Sequence, residues 1–450
     1  MRAAPTLRSL LSLAWPIVVS RSSQVVIGIA DAYMVAHLGE AALAATTAGA
    51  MNTFTLFILP LGVVFIVSSF SSQLLGSGDL AGARRHGFYG LGVAAATQLV
   101  GVAGIPLIEP ALLHLEFAPD VRELLAGYLA IRLWSGGAAI GMEALANYYG
   151  GLGNTRLPMR ASLAAMLLNV VGNWLLIDGH LGAPAMGVRG AALASALSTG
   201  VAFVGLLVVF LRERDPGGAR WPRLRVAEFT RMLRFGLPSG LNWFFEFAAF
   251  MFFVNVVVAG LGTTALASLM AVIQLNSVAF MPAFALASAA AILVGQSIGA
   301  GARDEVPRLV RLGFAAAGTW QGLVGILYLA APRLLFAPFA GAPSSSVALL
   351  DVGARMLAFS AAWQLFDAAA AVLAESLRAA GDTAFVLWAR LGAGWLVFVP
   401  GSWVTVRLHG GGDIAAVAWL VVYLALLALL LLLRFRSGAW RRLELVEPIA

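Results

Sequence analysis

Long apolar stretches alternate with short polar stretches along almost the whole chain. A helix needs about 20 apolar residues to cross the hydrocarbon layer of a bilayer. Backbone groups in lipid must be satisfied within the segment, so such stretches are read as helices. The pattern predicts twelve spanning helices, at residues 10–37, 43–74, 88–113, 124–150, 158–179, 187–211, 232–260, 264–298, 309–332, 347–377, 384–408 and 412–434.

The composition supports an all-α membrane protein. Of the 450 residues, 60% are hydrophobic and only 11% are charged, whereas a soluble domain carries about 25% charged residues. The chain has no cysteine, which excludes disulfides, thiolate metal sites and cysteine nucleophiles. The beginning, MRAAPTLRSLLSLAWPIVV, resembles a signal peptide but continues apolar past Ala30 without a clear cleavage site. We therefore assign it to the first span.

The basic residues predict topology rather than nucleic-acid binding. A sequence pI near 10.5 suggests nucleic acid at first, but all 29 basic residues are arginine and most lie in short loops. With the N-terminus inside, the predicted inner loops and ends hold 21 arginines, including Arg2 and Arg220, and the outer loops hold four. Cytoplasmic loops are enriched in arginine, so we predict that both termini are cytoplasmic.

The chain divides into two halves that repeat. The stretch RERDPGGARWPRLR separates six predicted helices from six, which gives an N-lobe at 1–211, a linker at 212–231 and a C-lobe at 232–450. LGEAALAATTAGAM in the first half resembles LGTTALASLMAVIQ in the second, at an offset of 223 residues. Parallel repeats of this kind occur in transporters that bind substrate and coupling ion at the repeat interface. The same duplication also builds the scaffold of some channels.

Five acidic residues are candidates for a place away from the ends of the predicted spans, and a charge at the centre of a span costs about 2.5–3.5 kcal/mol on insertion scales. They are Asp31, Glu143, Glu246, Asp367 and Glu375. Glu375 can pair with Arg378 one helical turn on, which favours a structural role. Glu143 is ambiguous. The other three break the symmetry of the repeat, and we predict that they are functional.

An unpaired buried carboxylate prefers its neutral form. It can instead bind a proton, Na⁺ or a cationic substrate, and a group that accepts one of these at a time is the minimal chemistry of an antiporter. Four arginines within spans are alternative partners, Arg21, Arg132, Arg355 and Arg390. Most of them fall nearer a membrane face, so we expect the three acids to lack a basic partner.

Several of these stretches resemble the multidrug and toxin extrusion (MATE) family. They are LAWPIVVSRSSQVVIGIADAYMVAHLGEAALAA, FGLPSGLNWFFEFAAF, FDAAAAVLAESLRAAGDT and GLGNTRLPMRASLAAMLLNVVGNWLLI. The resemblance implies the MATE fold of the MOP superfamily and the NorM-like branch. It implies a monomeric efflux antiporter in a bacterial cytoplasmic membrane, without a cofactor, that exports cationic amphipathic compounds against inward Na⁺ or H⁺.

The resemblance also implies an N-lobe site. Asp31 matches the family's acidic residue in this lobe, and Pro16 matches a proline at which the first helix is thought to bend. Asn169 and Asn173, one turn apart, match site-forming positions, although some members have Asp at the second of these. By the repeat offset of 222–223 residues, and apart from the resemblance, the partner of Glu246 in the first half is Gln24 or Ser23, and Gln24 is a candidate for the N-lobe site.

In the C-lobe, Glu246 and Asp367 match carboxylates proposed to bind the coupling cation, including Na⁺. Members with this pair often have Tyr four residues before the second acid, where this chain has Trp363. An indole cannot ligate Na⁺ through oxygen, which leaves Na⁺ and H⁺ both open. Gln274 and Asn276 are candidate polar neighbours.

Three other functions are alternatives: a flippase, a channel and an intramembrane enzyme. A lipid-linked oligosaccharide flippase of the same superfamily needs a cationic cavity, whereas the mid-depth charges here are mostly acidic. A channel needs a continuous polar path. An intramembrane enzyme lacks support because all five histidines lie at or near predicted span ends and no protease motif is present. We expect rocker-switch exchange.

Overall fold

The computed structural model describes residues 6–214, 222–339 and 346–446. Within those ranges every regular element is helical. They contain eleven helices that are long and apolar enough to cross a membrane, or twelve when a pair bent by 48° is counted as one span. Numbered in chain order, spans 1–12 are Leu7–Leu38, Glu40–Ser77, Leu80–Leu113, Pro119–Trp134 with Gly136–Gly151, Arg156–Ile177, Gly187–Arg212, Val226–Leu261, Thr263–Gly299, Arg303–Ala330, Val347–Ala379, Thr383–Leu408 and Asp413–Arg436.

The twelve predicted helices are confirmed, and each predicted segment overlaps one span. The bend in span 4 lies at Ser135, between Pro119–Trp134 and Gly136–Gly151. Among the predicted inner-side residues, Arg2 and Arg220 lie outside the described residues, as do parts of the predicted linker and the end of the C-terminal tail.

Three spans of the second half are interrupted. Span 7 is α-helical over Val226–Phe252 and continues as a π-helical segment, Phe253–Val258. Span 10 consists of Ser346–Ser360 and Gln364–Ala379, joined by the 3₁₀ turn Ala361–Trp363. Span 11 begins as Thr383–Leu391 and then contains π-helical segments. Such irregular segments frequently accompany functional sites.

The sequence repeat reappears in the backbone. Gly39 and Gly262, which precede spans 2 and 8, have φ of 110° and 102°, respectively. Because a side chain disfavours this conformation, glycine is required at both turns. Proline also lies inside spans 1, 2, 7 and 8, at Pro16, Pro60, Pro238 and Pro282. Four equivalent prolines and two equivalent turns indicate that both halves repeat one structural plan.

Contacts divide the chain into two compact units. One unit is Pro16–Gly240, and its buried core includes Leu125, Tyr128 and Ile140. The other combines the chain before Pro16 with the chain from Leu241 onward, and its spans 8, 9 and 10 pack against one another. The units differ from the predicted lobes in the first parts of spans 1 and 7. The lobes were defined by the repeat, which is a different criterion, and their boundaries stay a prediction.

Candidate functional site

The first candidate site surrounds Asp31 in span 1, within the unit Pro16–Gly240. The Asp31 side chain is buried, and its Oδ1 accepts hydrogen bonds from Nδ2 of Asn169 at 3.0 Å and Nδ2 of Asn173 at 2.6 Å. Its Oδ2 accepts a hydrogen bond from the Ser195 hydroxyl at 2.8 Å. We call Asp31, Asn169, Asn173 and Ser195 the N-terminal acidic cluster.

Helix geometry assembles this cluster. Asn169 and Asn173 are four residues apart in span 5, so their side chains project from the same face. Ser195 lies on span 6, which packs against span 5. The Asn169 amide also donates to Ser195 Oγ at 2.9 Å, and this contact positions the hydroxyl. Three neutral donors therefore surround the Asp31 carboxylate.

No basic side chain forms an ion pair with Asp31 in the described part of the chain. The expectation of an unpaired acid therefore agrees with the geometry at this position. Oδ1 of Asn173 is buried without a hydrogen-bond partner among the described residues. An unused acceptor beside a carboxylate leaves the cluster able to bind one further positive group.

The other two N-lobe candidates lie apart from the cluster. Gln24 is exposed in span 1 and makes no hydrogen bond in the described residues. Pro16 lies within the continuous α-helix Leu7–Val35 and begins one of the two compact units. The roles proposed for both residues stay predictions.

The second candidate site lies in the other unit and corrects a prediction. Glu246 in span 7 was expected to lack a basic partner, but it forms a salt bridge with Arg390 of span 11. The two side chains are 39% and 14% exposed, respectively. The Tyr423 hydroxyl of span 12 also hydrogen bonds to Glu246. Glu246 is therefore neutralised because an arginine within a neighbouring span reaches it.

Asp367 completes this second group. It lies half-buried in the first turn of Gln364–Ala379, where its Oδ2 accepts a hydrogen bond from Nε2 of Gln321 at 3.2 Å. Asp367 also interacts electrostatically with both Glu246 and Arg390. We call Glu246, Asp367, Arg390, Gln321 and Tyr423 the C-terminal acidic cluster. It holds two carboxylates and one guanidinium, which leaves one formal negative charge.

The three remaining C-lobe candidates occupy different positions. Trp363 is buried in the 3₁₀ turn that precedes the Asp367 helix. Asn276 in span 8 accepts a hydrogen bond from Gln364 Nε2 at 2.7 Å and donates one to Ser360 Oγ at 3.4 Å. It therefore contacts the residues on both sides of this 3₁₀ turn, which we call the break in span 10. Gln274 is exposed and makes no hydrogen bond within the described chain.

The other two candidate acids, Glu143 and Glu375, are paired with arginine. Glu143, which was ambiguous, accepts hydrogen bonds from Arg21 at 2.6 and 3.2 Å and from Asn147 at 3.1 Å. Glu375 forms the predicted ion pair with Arg378, which is thereby confirmed. Both pairs give these carboxylates a structural partner.

Sequence reasoning missed three contributors to the clusters, Ser195, Gln321 and Tyr423, and it set aside a fourth, Arg390, as lying nearer a membrane face. A serine or glutamine in an apolar helix is not distinctive. Arg390 did carry a signal, because a charged residue inside a span requires a partner. That rule predicts an acidic neighbour for Arg390, but it does not identify which acid.

The fold and the two clusters define a class of protein: a multi-pass helical membrane transporter built from a repeated six-helix unit. The MatE family model matches residues 16–175 and 238–404. Among curated proteins, the probable multidrug resistance protein NorM of Chromobacterium violaceum is 30% identical and covers 97% of this chain and 95% of its own length. The corresponding protein of Pseudomonas putida is 28% identical, with coverage of 99% and 97%.

Solved structures show the same fold at lower identity. An outward-facing multidrug resistance MATE family transporter of the MOP superfamily matches with a TM-score of 0.86 at 19% identity, over 97% of both chains. A eukaryotic MATE transporter matches with a TM-score of 0.84, also at 19% identity, over 97% of this chain and 96% of its own. The chain belongs to the MatE family and resembles its NorM-like efflux transporters.

Proposed function

We propose that the protein is a multidrug efflux antiporter that exports cationic, amphipathic compounds in exchange for inward H⁺ or Na⁺. It acts as a monomer in a bacterial cytoplasmic membrane and needs no cofactor besides the coupling ion. The relatives named probable multidrug resistance proteins support multidrug efflux, and the acidic clusters described above support a cationic substrate.

One observation carries the exchange mechanism: each acidic cluster has one negative charge without a basic partner. At the N-terminal acidic cluster this charge is Asp31, which has only neutral donors. At the C-terminal acidic cluster it is the excess of two carboxylates over one guanidinium. Charges in a membrane interior are costly unless compensated, so each cluster favours binding of one positive ligand.

Competition for that charge couples the two transport directions. In the outward-facing state a proton or Na⁺ neutralises a cluster and weakens binding of the organic cation, which leaves on the outer side. In the inward-facing state the ion dissociates and an organic cation takes its place. Rocker-switch alternation of the two lobes presents the clusters to one side at a time. The excess negative charge of the two acidic clusters would repel the anionic pyrophosphate of a lipid-linked oligosaccharide, which disfavours a flippase.

Dye transport into sealed vesicles tests the proposal. Purified protein is reconstituted, and movement of a fluorescent organic cation is followed with a pH gradient alone, a Na⁺ gradient alone, or neither. We expect dye movement against its gradient when an ion gradient is present, and loss of that movement in Asp31→Asn. Dye that only equilibrates down its gradient, regardless of either ion, would indicate a channel and reject antiport.

Glu246→Gln is the corresponding variant of the C-terminal acidic cluster. It removes the excess negative charge, because Asp367 and Arg390 then balance each other. We expect loss of drug resistance in cells while the protein remains in the membrane at the wild-type level. Unchanged efflux from cells that contain the variant would remove Glu246 from the transport mechanism.

A further inference from the structure

Arg390 occupies the position beside Glu246 where a coupling cation would bind. The guanidinium extends from Thr383–Leu391 in span 11 to the carboxylate in span 7. It also interacts electrostatically with Asp367 and Tyr423, the other titratable groups of the cluster. A guanidinium remains protonated in proteins, so this positive charge is a permanent part of the site.

The oxygen atoms of Glu246 are already engaged. Arg390 and the Tyr423 hydroxyl both bind this carboxylate. A hard cation such as Na⁺ needs several oxygen ligands. To use Glu246 as a ligand, Na⁺ would have to displace a guanidinium that is covalently attached to the protein.

Asp367 alone offers Na⁺ little further coordination. Gln321 directs an amide N–H, which does not ligate a metal cation, toward Oδ2 of Asp367. The Gln321 Oε1 is buried without a hydrogen-bond partner among the described residues, but one amide oxygen besides Asp367 is fewer than the several oxygen ligands that Na⁺ needs. Trp363, one turn before Asp367, has no side-chain oxygen. A proton has different requirements, because it needs only one free lone pair on the carboxylate. The local chemistry therefore distinguishes the two ions.

We propose that Arg390 is a tethered counter-cation that excludes Na⁺ from the C-terminal acidic cluster and leaves proton exchange at Asp367. This inference rests on the proposed antiport and names the ion that the cluster exchanges. It makes Arg390 a determinant of ion specificity in addition to the stabilising partner of Glu246. Removing the guanidinium while keeping both acids should then create a Na⁺ site.

Ion-dependent melting of the purified full-length protein tests this directly. Melting temperatures are compared in NaCl and KCl at equal ionic strength for the wild type, Arg390→Gln and Arg390→Lys. We expect Arg390→Gln alone to gain stabilisation by Na⁺ over K⁺, because a ligand that binds only the folded state stabilises it by an amount that grows with the logarithm of ligand concentration relative to Kd. Arg390→Lys keeps the positive charge and should respond as the wild type does.

Matched controls distinguish the effect of removing any arginine from a span from the effect of removing the guanidinium beside Glu246. Arg355 pairs with Asp413 at 3.4 Å and is 62% exposed, so Arg355→Gln should leave the ion response unchanged. In the Arg390→Gln background, Glu246→Gln should abolish the new Na⁺ response. In vesicles, we expect a Na⁺ gradient to stimulate dye transport by Arg390→Gln about fivefold.

Two results would overturn the inference. One is a folded Arg390→Gln protein without any preference for Na⁺ over K⁺. The other, which requires no change at Arg390, is Na⁺ stabilisation of the wild type that Glu246→Gln removes. Failure of the proposed function looks different: the wild type would move no organic cation under either ion gradient, whatever its melting behaviour.

Discussion

The two acidic clusters carry the same formal charge but obtain it in different ways. In the N-terminal acidic cluster, one carboxylate, Asp31, receives hydrogen bonds from two amides and a hydroxyl. In the C-terminal acidic cluster, two carboxylates share one guanidinium, and Glu246 takes the direct ion pair. A duplicated scaffold therefore contains two chemically distinct sites.

The difference indicates a division of roles. The Asp31 carboxylate is bound by neutral amides and a hydroxyl rather than by a cation, so a proton or a cationic ligand can still bind it without displacing a positive group. The guanidinium of Arg390 instead competes with any other cation for Glu246. We infer that the N-terminal acidic cluster responds most directly to the ion gradient. We also infer that Arg390 restricts which cations can bind the C-terminal acidic cluster.

The largest expected effect is at Asp31. Asp31→Asn keeps the side-chain size but removes the charge, so coupled efflux should fall by about 100-fold, near the upper end of typical coupling between sites. Dye transport in reconstituted vesicles measures this. Asp178→Asn is the matched control, because Asp178 lies at the end of span 5 and pairs with His37 instead. Equal losses in both variants would contradict the assignment.

The next effect concerns stability rather than transport. Arg390→Ala leaves two carboxylates without their counter-charge. Breaking a buried ion pair costs about 3–5 kcal/mol, but Glu246 is 39% exposed, so we expect about 2 kcal/mol of lost unfolding free energy. Denaturation of the purified protein checks this value. The double variant Arg390→Ala/Glu246→Ala should recover part of the loss, and strict additivity of the two changes would argue against the pair.

A smaller effect is expected at Ser195. Ser195→Ala removes one of three donors to Asp31, and a hydrogen bond to a charged group contributes about 1.5 kcal/mol or more. We therefore expect about a tenfold loss of coupled transport with normal protein levels. Ser198→Ala is the control, because within the described chain the Ser198 hydroxyl bonds only to the carbonyl of Ser195 on its own helix. A silent Ser195→Ala would show that the hydroxyl does not support the charge.

The smallest effect is expected at the break in span 10. Asn276→Ala removes contacts to Gln364 and Ser360 and should lower the unfolding free energy by about 1 kcal/mol. Ser277→Ala, where the hydroxyl bonds to its own helix at 2.9 Å, should change it less. Thermal denaturation of the two variants measures this loss of unfolding free energy. An equal loss in both would show that Asn276 does not stabilise the break in span 10.

Prediction from sequence succeeded where the signal was local or periodic. The spans follow from continuous hydropathy, and the repeat follows from equivalent prolines and glycine turns such as Gly39 and Gly262. The resemblance to the MATE family, rather than a pattern in the residues, singled out Asn169 and Asn173, and the structure brings both amides to Asp31.

The partners that sequence reasoning missed are distant in sequence and specified by helix packing. Arg390 and Glu246 lie on different spans, and no local pattern relates them. The estimated depth of Arg390 was also misleading, because a long arginine side chain reaches well beyond its own helical turn. Ser195 contributes a single hydroxyl from a helix that otherwise reads as apolar, and its position becomes distinctive only once spans 5 and 6 are packed together.

Proton release upon drug binding tests the central claim most directly. An organic cation is added to purified protein in weakly buffered detergent solution, and the released protons are measured with a pH indicator. If drug and proton compete for Asp31, the wild type releases protons on drug binding, and Asp31→Asn releases measurably fewer at the same drug occupancy. Release that is identical in the two proteins, with drug still bound, would contradict the account.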